Sequence, residues 1–359
     1  MKKPEKHIIH VAESFGSGIV EFVRSLAEGM PDYKHTVIYA IRELSLDEIK
    51  SKFTVKVDFI EWEHAQKSIS PIKDWKALLY LYKILKKTEF DVLHLHSSKA
   101  GLLGRMAGLF FRKKNIIYTP NGAPFNRKDI SFFKKLLFIS VEFFGSLLSG
   151  KTVCCSASEQ KTYRKIAIKA LCVNNGISIP DATVEKEMQK DEGIFRIVTS
   201  GRVSVQKNPD LFYQIATYFA NDPSIGFTWI GNGDIENKLN APNIHLTGWL
   251  KRPDVLDILK KADLYLSTAL WEGLPFAVLD AMSLGKPLLL NHCVGNIDMV
   301  DQGENGYIFE NANQAIEKIR YLKNQAELLK NMGYNSYKKC RSEFDIHKTI
   351  DSYIQIYNS

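Results

Sequence analysis

The segment of residues 263–290 constrains the fold of this chain more than any other part of it. It opens with the apolar run Asp-Leu-Tyr-Leu-Ser at 263–267, which indicates a buried strand. Pro275 suits the first position of a helix, where no backbone hydrogen bond is lost, and Gly285 suits its end. The apolar run at 286–290 predicts the next strand. This order of strand, loop, helix and strand is typical of an open α/β sheet.

Two acidic residues lie where such a sheet binds ligands. Glu272 falls in the loop at the carboxyl end of the first strand, and Asp280 falls in the helix. The helix N-terminus offers free N–H groups and a positive dipole, which suit a phosphate, while the carboxylates can hold sugar or ribose hydroxyls. The alternative is an ordinary βαβ unit whose acids face solvent. The residues between the two acids that are expected to bind the ligand are Gly273, Leu274, Pro275, Phe276 and Ala277.

These residues resemble a known motif. A Glu, seven residues and a second acid before Ala-Met, followed by a Gly-Lys-Pro strand, are similar to the donor site of family-4 retaining glycosyltransferases. The resemblance implies an α/β chain of the GT-B fold, with two Rossmann-like domains facing a cleft. It implies transfer of a sugar from a nucleotide diphosphate sugar, with Glu272 holding sugar hydroxyls. The family usually has Glu where this chain has Asp280, so Asp280 is expected to reach the ribose directly or through water.

Further matches follow in the second half of the chain. After the strand at 195–200, Arg202 and Lys207 flank a turn before a helix, where they can neutralise a diphosphate. This loop resembles the family's Gly-Arg…Lys element, although a basic pair in a loop is also commonly just solvated. The turn with Gly231 and Gly233 matches the family's Gly-x-Gly. The resemblance implies that Trp249 and Leu250 lie where the nucleotide base binds.

The first half carries weaker matches. A strand at 7–12 runs into Gly16, Ser17 and Gly18 and then a helix, a design that lets backbone approach a phosphate. After the strand at 115–119, the family often shows Thr-Pro-His-Gly, and that His contacts the donor sugar. Here the residue is Asn121, which can hydrogen-bond a sugar hydroxyl but cannot carry a proton.

Two histidines share one face of the strand at 91–96. His94 and His96 are two residues apart, so they could pair as metal ligands, although no third ligand is close in sequence. The alternatives are buried, hydrogen-bonded histidines or contact between His96 and the acceptor. We place acceptor binding at His96 and Lys99 and expect no bound metal or cofactor.

The segment at 130–149 is rich in Phe and Leu, and its polar residues fall along one helical stripe. A helix packed in the domain core and a membrane-facing helix with basic flanks both fit. We favour the core position. The stripe consists of Ser131, Lys135, Glu142, Ser146 and Ser149.

Charge divides the chain unequally. Residues 1–178 carry 29 Lys+Arg against 17 Asp+Glu, a balance of +12 within a total of +8. A basic half implies an anionic partner, such as a membrane surface or a pyrophosphate-bearing lipid, unless the lysines serve solubility. No nucleic-acid-binding motif is present, so nucleic acid is not expected. The five cysteines have no Cys-x-x-Cys spacing and indicate reduced cytosolic thiols.

Together these features predict an acceptor-binding domain at 1–178, a nucleotide-sugar-binding domain at 179–338 with a linker at 177–194, and a helix at 339–359 that returns to the first domain. We expect neither signal peptide nor transmembrane helix, hence a cytoplasmic enzyme that could bind the inner face of the membrane. Its expected acceptor is a lipid-linked glycan intermediate of capsule or O-antigen type. Two alternatives are a GT-B sugar-nucleotide epimerase and a non-catalytic nucleotide-sugar-binding subunit.

Overall fold

A computed structural model describes residues 6–41, 45–66, 68–111, 114–179 and 193–359. Most of the predicted linker, residues 180–192, lies outside these ranges. The chain forms two compact units. Unit 1 comprises Met1–Asn126, Ile130–Asn175 and Ile346–Ser359, and unit 2 comprises Arg127–Asp129 and Gly176–Asp345.

Unit 1 is built on a seven-stranded parallel sheet in the order β3-β2-β1-β4-β5-β6-β7. Its strands are β1 (His7–Ala12), β2 (Lys34–Tyr39), β3 (Val57–Glu61), β4 (Val92–His96), β5 (Asn115–Thr119), β6 (Lys151–Cys154) and β7 (Ala170–Cys172). Its first helices are α1 (Ser17–Gly29), α2 (Leu46–Lys50), α3 (Pro71–Lys87), α4 (Ser98–Gly108), α5 (Phe132–Leu148) and α6 (Ala157–Lys165). Ahead of β3, the backbone N–H and the hydroxyl of Thr54 both donate to the Glu28 carboxylate, so Thr54 precedes the strand and is not part of it.

Unit 2 has a six-stranded parallel sheet in the order β10-β9-β8-β11-β12-β13. Its strands are β8 (Phe195–Ser200), β9 (Ile225–Ile230), β10 (Ile244–Leu246), β11 (Leu264–Ser267), β12 (Leu288–Asn291) and β13 (Gly306–Phe309). Its helices are α7 (Pro209–Tyr218), α8 (Arg252–Lys260), α9 (Phe276–Ser283), α10 (Ala312–Lys323) and α11 (Ala326–Glu343). The last helix, α12 (Ile346–Asn358), belongs to unit 1.

Each sheet reverses its strand order once. In unit 1 the reversal lies between β1 and β4, and in unit 2 it lies between β8 and β11. The loops leaving two such strands separate to opposite sides and open a crevice at the carboxyl edge of the sheet, where ligands of α/β proteins bind. The sequence alone places Lys207 after β8 and Glu272 after β11. The strand order makes these two loops neighbours.

The packing of α5 differs from the favoured core position. Its polar stripe does not face solvent as a whole, since Glu142 is buried. Glu142 lies 3.7 Å from the Arg105 guanidinium and accepts a 2.7 Å hydrogen bond from Tyr118. The opposite face of α5 is apolar and exposed. A 3.6-residue period reveals two faces but not which one packs, because a buried ion pair can make the inner face polar.

Within the described residues, no helix combines the length and the apolar character needed to cross a bilayer.

Candidate active site

Two loops at the carboxyl edge of the unit 2 sheet are fastened together. The loop after β8 makes a 3₁₀ turn at Val205–Lys207 and ends at Asn208, whose left-handed backbone (φ 53°) starts α7. The loop after β11 binds that turn, because Leu270 N donates to Gln206 O (2.8 Å) and Thr268 Oγ1 donates to Lys207 O (2.7 Å). Hydrogen bonds between the two loops therefore fix the positions of Lys207 and Glu272.

The side chains of Lys207 and Glu272 meet. Lys207 Nζ donates to Glu272 Oε1 at 2.7 Å, with 20% and 8% of the two side chains exposed. Burial opposes the charge on Lys207, but the adjacent Glu272 carboxylate outweighs it, so the pKa of Lys207 is raised. The site thus holds a fixed cation beside a fixed anion, one suited to a phosphate and the other to hydroxyl groups.

Glycines let neighbouring backbones approach this site closely. Gly201 and Gly231 have φ of 134° and 135°, which side chains disfavour. A Cβ on Gly231 would lie 2.3 Å from Gly201 O, and one on Gly233 would lie 2.1 Å from Val203 O. The predicted Gly-x-Gly turn therefore packs directly on the loop that carries Lys207.

Arg202 is placed differently from Lys207. Its guanidinium lies 3.1 Å from Asp234 Oδ2, and 45% of its side chain is exposed. Asp234 follows the Gly-x-Gly turn and is 88% exposed, so solvent screens this pair. Arg202 therefore lies in the predicted loop, half-exposed and beside the residue that follows the Gly-x-Gly turn.

Helix α9 begins one residue later than predicted. Pro275 is the N-cap and Phe276 the first helical residue, while Gly285 ends the helix in the left-handed conformation (φ 65°). The loop before it packs on the loop after β12, since Glu272 N donates to Val294 O at 3.2 Å. Gly273, Leu274 and Ala277 accordingly line the N-terminal end of α9 beside Glu272.

Asp280 has a partner that the sequence did not indicate. Its carboxylate lies 2.6 Å from the guanidinium of Arg252, at the start of α8, with 15% and 40% of the side chains exposed. A ribose at this position would share Asp280 with Arg252. Nearby in sequence, Trp249 is 61% exposed and Leu250 is half-buried.

In unit 1, the two predicted donor loops have distinct geometries. Gly16 is the N-cap of α1, and Ser17 and Gly18 form its first turn, with neither an acid nor a side-chain cap at that end. Asn121 has a left-handed backbone (φ 53°), a conformation in which Asn is enriched, and its Nδ2 donates to Thr119 O at 3.3 Å. The N–H of the next residue, Gly122, donates to the buried Glu159 carboxylate at 2.9 Å. Glu159 was not among the residues predicted from the sequence.

His96 ends a chain of buried imidazoles. His35 Nε2 contacts Met30 O (3.1 Å), His35 Nδ1 contacts His10 Nε2 (3.2 Å), and His10 Nδ1 contacts His96 Nε2 (3.1 Å). The Met30 carbonyl can only accept, so a neutral His35 carries its hydrogen on Nε2 and accepts at Nδ1. His10 must then donate from Nε2 to His35, and His96 must donate from Nε2 to His10. All three neutral rings therefore carry their hydrogen on Nε2. Sequence spacing suggested only His94 and His96, since His10 and His35 come from other strands.

The ring nitrogens of His10, His94 and His96 approach one another within 4.8 Å. His94 contacts Tyr357 and Thr119 at 2.8 Å each. Of the six nitrogens, only His96 Nδ1 has no partner among the described residues. The cluster is therefore a hydrogen-bonded network, as in one of the predicted alternatives. Lys99 is held by Asp74 and Ser68 O, both at 2.6 Å.

The network should make stability depend on pH. Burial lowers the pKa of His35 to about 4 and that of His96 to about 3, and the pKa values of His10 and His94 fall as well. The unfolded chain binds these protons below about pH 6.5. Stability should thus be full above pH 6.5 and decline toward pH 4, by about 2 kcal/mol at pH 5 for each of His35 and His96.

Urea denaturation at pH 7.5, 6 and 5 measures this decline. His35→Gln should flatten the pH dependence, whereas His245→Gln, at an exposed position, should leave it unchanged. Equal unfolding midpoints for the unmodified chain at pH 7.5 and 5 would contradict the prediction.

Comparison with known proteins decides the family. Residues 16–179 match the family described as Glycosyltransferase Family 4, and residues 181–339 match Glycosyl transferases group 1. An Escherichia coli UDP-Gal:alpha-D-GlcNAc-diphosphoundecaprenol alpha-1,3-galactosyltransferase is 30% identical over 324 residues, covering 81% of each chain. The chain belongs to family 4 of the glycosyltransferases.

Other relatives of this glycosyltransferase cover nearly its whole length. An uncharacterised 41.2 kDa protein from the cps region of Klebsiella pneumoniae is 25% identical, over 98% of this chain and 99% of its own. A Campylobacter jejuni N,N'-diacetylbacillosaminyl-diphospho-undecaprenol alpha-1,3-N-acetylgalactosaminyltransferase is 21% identical over 96% of both.

Solved structures confirm the GT-B fold class. Anabaena HepE in complex with UDP and glucose has a TM-score of 0.78 at 13% identity, covering 99% of this chain and 100% of its own. Sucrose-phosphate synthase from Thermosynechococcus elongatus has a TM-score of 0.79 at 14% identity, covering 99% and 98%. These likenesses concern the fold, and the assignment of site residues in the glycosyltransferase stays a prediction.

Proposed function

We propose that this glycosyltransferase moves a hexose, with retention, from a nucleotide diphosphate sugar to a lipid-linked diphosphate sugar during capsule or O-antigen-type assembly. The observation that carries the proposal is the buried contact between Lys207 and Glu272 at the switch point of the unit 2 sheet. The acceptor class is supported by the relatives from E. coli and C. jejuni, whose names specify undecaprenol diphosphate sugars.

The proposed roles follow from charge and position. Lys207 and Arg202 stabilise the negative charge that develops on the leaving diphosphate, with help from the dipole of α9. Glu272 accepts hydrogen bonds from sugar hydroxyls, and Asp280 holds the ribose alongside Arg252. The remaining donor contacts are proposed at Gly231, Gly233, Trp249, Leu250, Gly273, Leu274, Pro275, Phe276 and Ala277 in unit 2, and at Gly16, Ser17, Gly18 and Asn121 in unit 1.

The acceptor is assigned to unit 1, which carries most of the excess positive charge. His96 and Lys99 are the proposed contacts. The existing bonds of Lys99 to Asp74 and Ser68 O leave one ammonium hydrogen for an anionic acceptor. No divalent metal is required by this scheme, because Lys207, Arg202 and helix dipoles supply positive charge.

Ligand-induced stabilisation tests donor binding. We expect one of uridine, guanosine and adenosine diphosphate to raise the melting temperature of the protein. The nucleotide sugars of that same base should also raise it. At 100 times its dissociation constant such a ligand adds about 2.7 kcal/mol. If none of the three diphosphates stabilises the protein, the proposal fails. Binding followed by epimerisation, or by no reaction with any acceptor, would favour the two alternative functions.

The exposed face of α5, here called the α5 surface, supports a location on the membrane. It consists of Phe132, Phe133, Leu136, Leu137, Phe144, Leu147 and Leu148, which are 37–81% exposed. At 100° per residue they span an arc of about 160°. Lys134 and Lys135 are exposed on the same helix. An apolar arc beside lysines fits the headgroup region of an anionic bilayer, so we propose peripheral binding to the cytoplasmic face of the cell membrane.

Removing two aromatic rings from the α5 surface should weaken this binding. Phe133→Ser combined with Phe144→Ser should reduce partitioning to phosphatidylglycerol vesicles by about a hundredfold or more, because each buried ring contributes about 1.5–3 kcal/mol. Vesicle sedimentation measures the change. Tyr334→Ser, at a 52% exposed position in unit 2, is the control and should have no effect. Equal, salt-independent binding to neutral and anionic vesicles would contradict the proposal.

A further inference from the structure

Each oxygen of the Glu272 carboxylate has its own donor. Lys207 Nζ binds Oε1 at 2.7 Å, and Gln206 Nε2 binds Oε2 at 3.2 Å. The same Gln206 amide donates to Trp271 O at 2.9 Å. Since a primary amide has two hydrogens, both are used, one on the carboxylate and one on the backbone beside it.

The backbone of Gln206 is fixed as well. Its main-chain carbonyl accepts a hydrogen bond from Leu270 N (2.8 Å). The main-chain carbonyls of the next two residues, Lys207 and Asn208, share the hydroxyl hydrogen of Thr268 and lie 2.7 and 3.1 Å from its Oγ1. Gln206 therefore bridges the two loops by both its backbone and its side chain. The amide at Oε2 is held in place independently of Lys207.

The two donors differ in what else they can bind. The ammonium of Lys207 is charged and is the group proposed to contact the leaving diphosphate, so its bond to Oε1 is shared or lost as charge develops there. The Gln206 amide is neutral and its hydrogens are occupied, so a diphosphate offers it little. Gln206 can therefore hold the carboxylate while Lys207 is engaged.

We infer that Gln206 is a positioning residue that fixes Oε2 of Glu272, so that the carboxylate stays aimed at the sugar hydroxyls when Lys207 turns to the leaving diphosphate. This inference rests on the proposed function. It predicts that Gln206 contributes to the reaction of the sugar and not to the affinity for the nucleoside diphosphate, because the amide does not contact the latter.

Gln206→Leu tests the inference, because leucine fills the space and donates nothing. We expect kcat to fall by about tenfold to hundredfold, the usual range for a lost hydrogen bond to a charged group. The Kd of the nucleoside diphosphate alone should stay within twofold. Gln206→Glu keeps the size but places a second carboxylate beside Glu272, so the acidic limb of the pH–rate profile should move to higher pH.

Thr268→Val is the matched comparison. It removes the hydroxyl that fastens the same two loops but leaves both donors on Glu272, so its kcat should exceed that of Gln206→Leu by at least fivefold. Equal losses of kcat in Thr268→Val and Gln206→Leu would show that loop stability, and not carboxylate orientation, is affected. That result, or a Gln206→Leu enzyme with unchanged kcat, overturns the inference.

Failure of the role of Gln206 and failure of the proposed function give different results. If Gln206→Leu does not fold, the pH–rate profile of Gln206→Glu decides, and an unshifted acidic limb overturns the inference. If the unmodified protein transfers sugar from no nucleotide sugar, the proposed function itself fails. Transfer by the unmodified protein with wild-type kinetics in both Gln206 variants would reject only the role of Gln206.

Discussion

Lys207→Met should lower turnover by about 10²–10³-fold, the effect of removing one preorganised charge from a leaving group. Methionine keeps the length of the side chain, so the loss reports on charge. The variant should also be less stable, by on the order of 3 kcal/mol, because the Glu272 carboxylate, 8% exposed, loses its counterion. The melting temperature and kcat are measured on the same preparation.

A nearby surface lysine provides the control. Lys238 forms a 2.7 Å ion pair with Asp210, but 41% and 65% of the two side chains are exposed, so Lys238→Met should change neither quantity appreciably. Arg202→Met should lower turnover as strongly as Lys207→Met with little effect on stability, since Arg202 is half-exposed. Turnover within threefold of the unmodified enzyme in both the Arg202 and Lys207 variants would refute the diphosphate assignment.

Glu272→Gln should mainly reduce kcat, whereas Asp280→Asn should mainly raise the donor KM. Glu272 faces the reacting sugar, where its interactions can strengthen in the transition state. Asp280 is assigned to the ribose, which does not change during the reaction, and uniform binding lowers KM without raising kcat. In Asp280→Asn, Arg252 loses its carboxylate partner, but 40% of its side chain is already exposed to water. The loss of folding stability should therefore be small.

Asp280→Glu completes the set. It restores the side chain common in the family, so kcat and the donor KM should stay nearly unchanged. If the shorter Asp leaves a gap to the ribose, the donor KM should fall. Steady-state kinetics with varied donor on the three variants measures these effects. Full turnover in Glu272→Gln together with none in Asp280→Asn would reverse the two roles.

The alternation of strands and helices could be predicted because most strands are short apolar runs, and some end directly at a turn residue, as β5 does before Pro120 and β8 before Gly201. The proximity of Lys207 and Glu272 could not be derived from spacing, since 64 residues separate them. The family resemblance assigned both residues to the donor site, and the neighbouring positions of β8 and β11 explain their contact. Gln206 gave no signal, because an amide beside a basic residue has no pattern of its own.

The partners of buried polar groups were the least predictable feature. His10, His35 and His96 come from three strands, and their contacts depend on strand order. Glu142 could be placed only on a polar stripe of the helix, because periodicity carries no information about a distant partner such as Arg105. Arg252 likewise reaches Asp280 from the preceding helix. In each case a long-range contact decided the environment of a residue whose local pattern was ambiguous.

The most direct test is NMR of the product made by the unmodified enzyme from its nucleotide α-sugar and a lipid diphosphate sugar acceptor. We predict one new glycosidic linkage with the α configuration, formed in equal amount to the released nucleoside diphosphate, and loss of this product in Glu272→Gln. A β-linked product would contradict retention. Free sugar or an epimerised donor in place of a linked product would contradict the account of this protein as a transferase acting on lipid-linked acceptors.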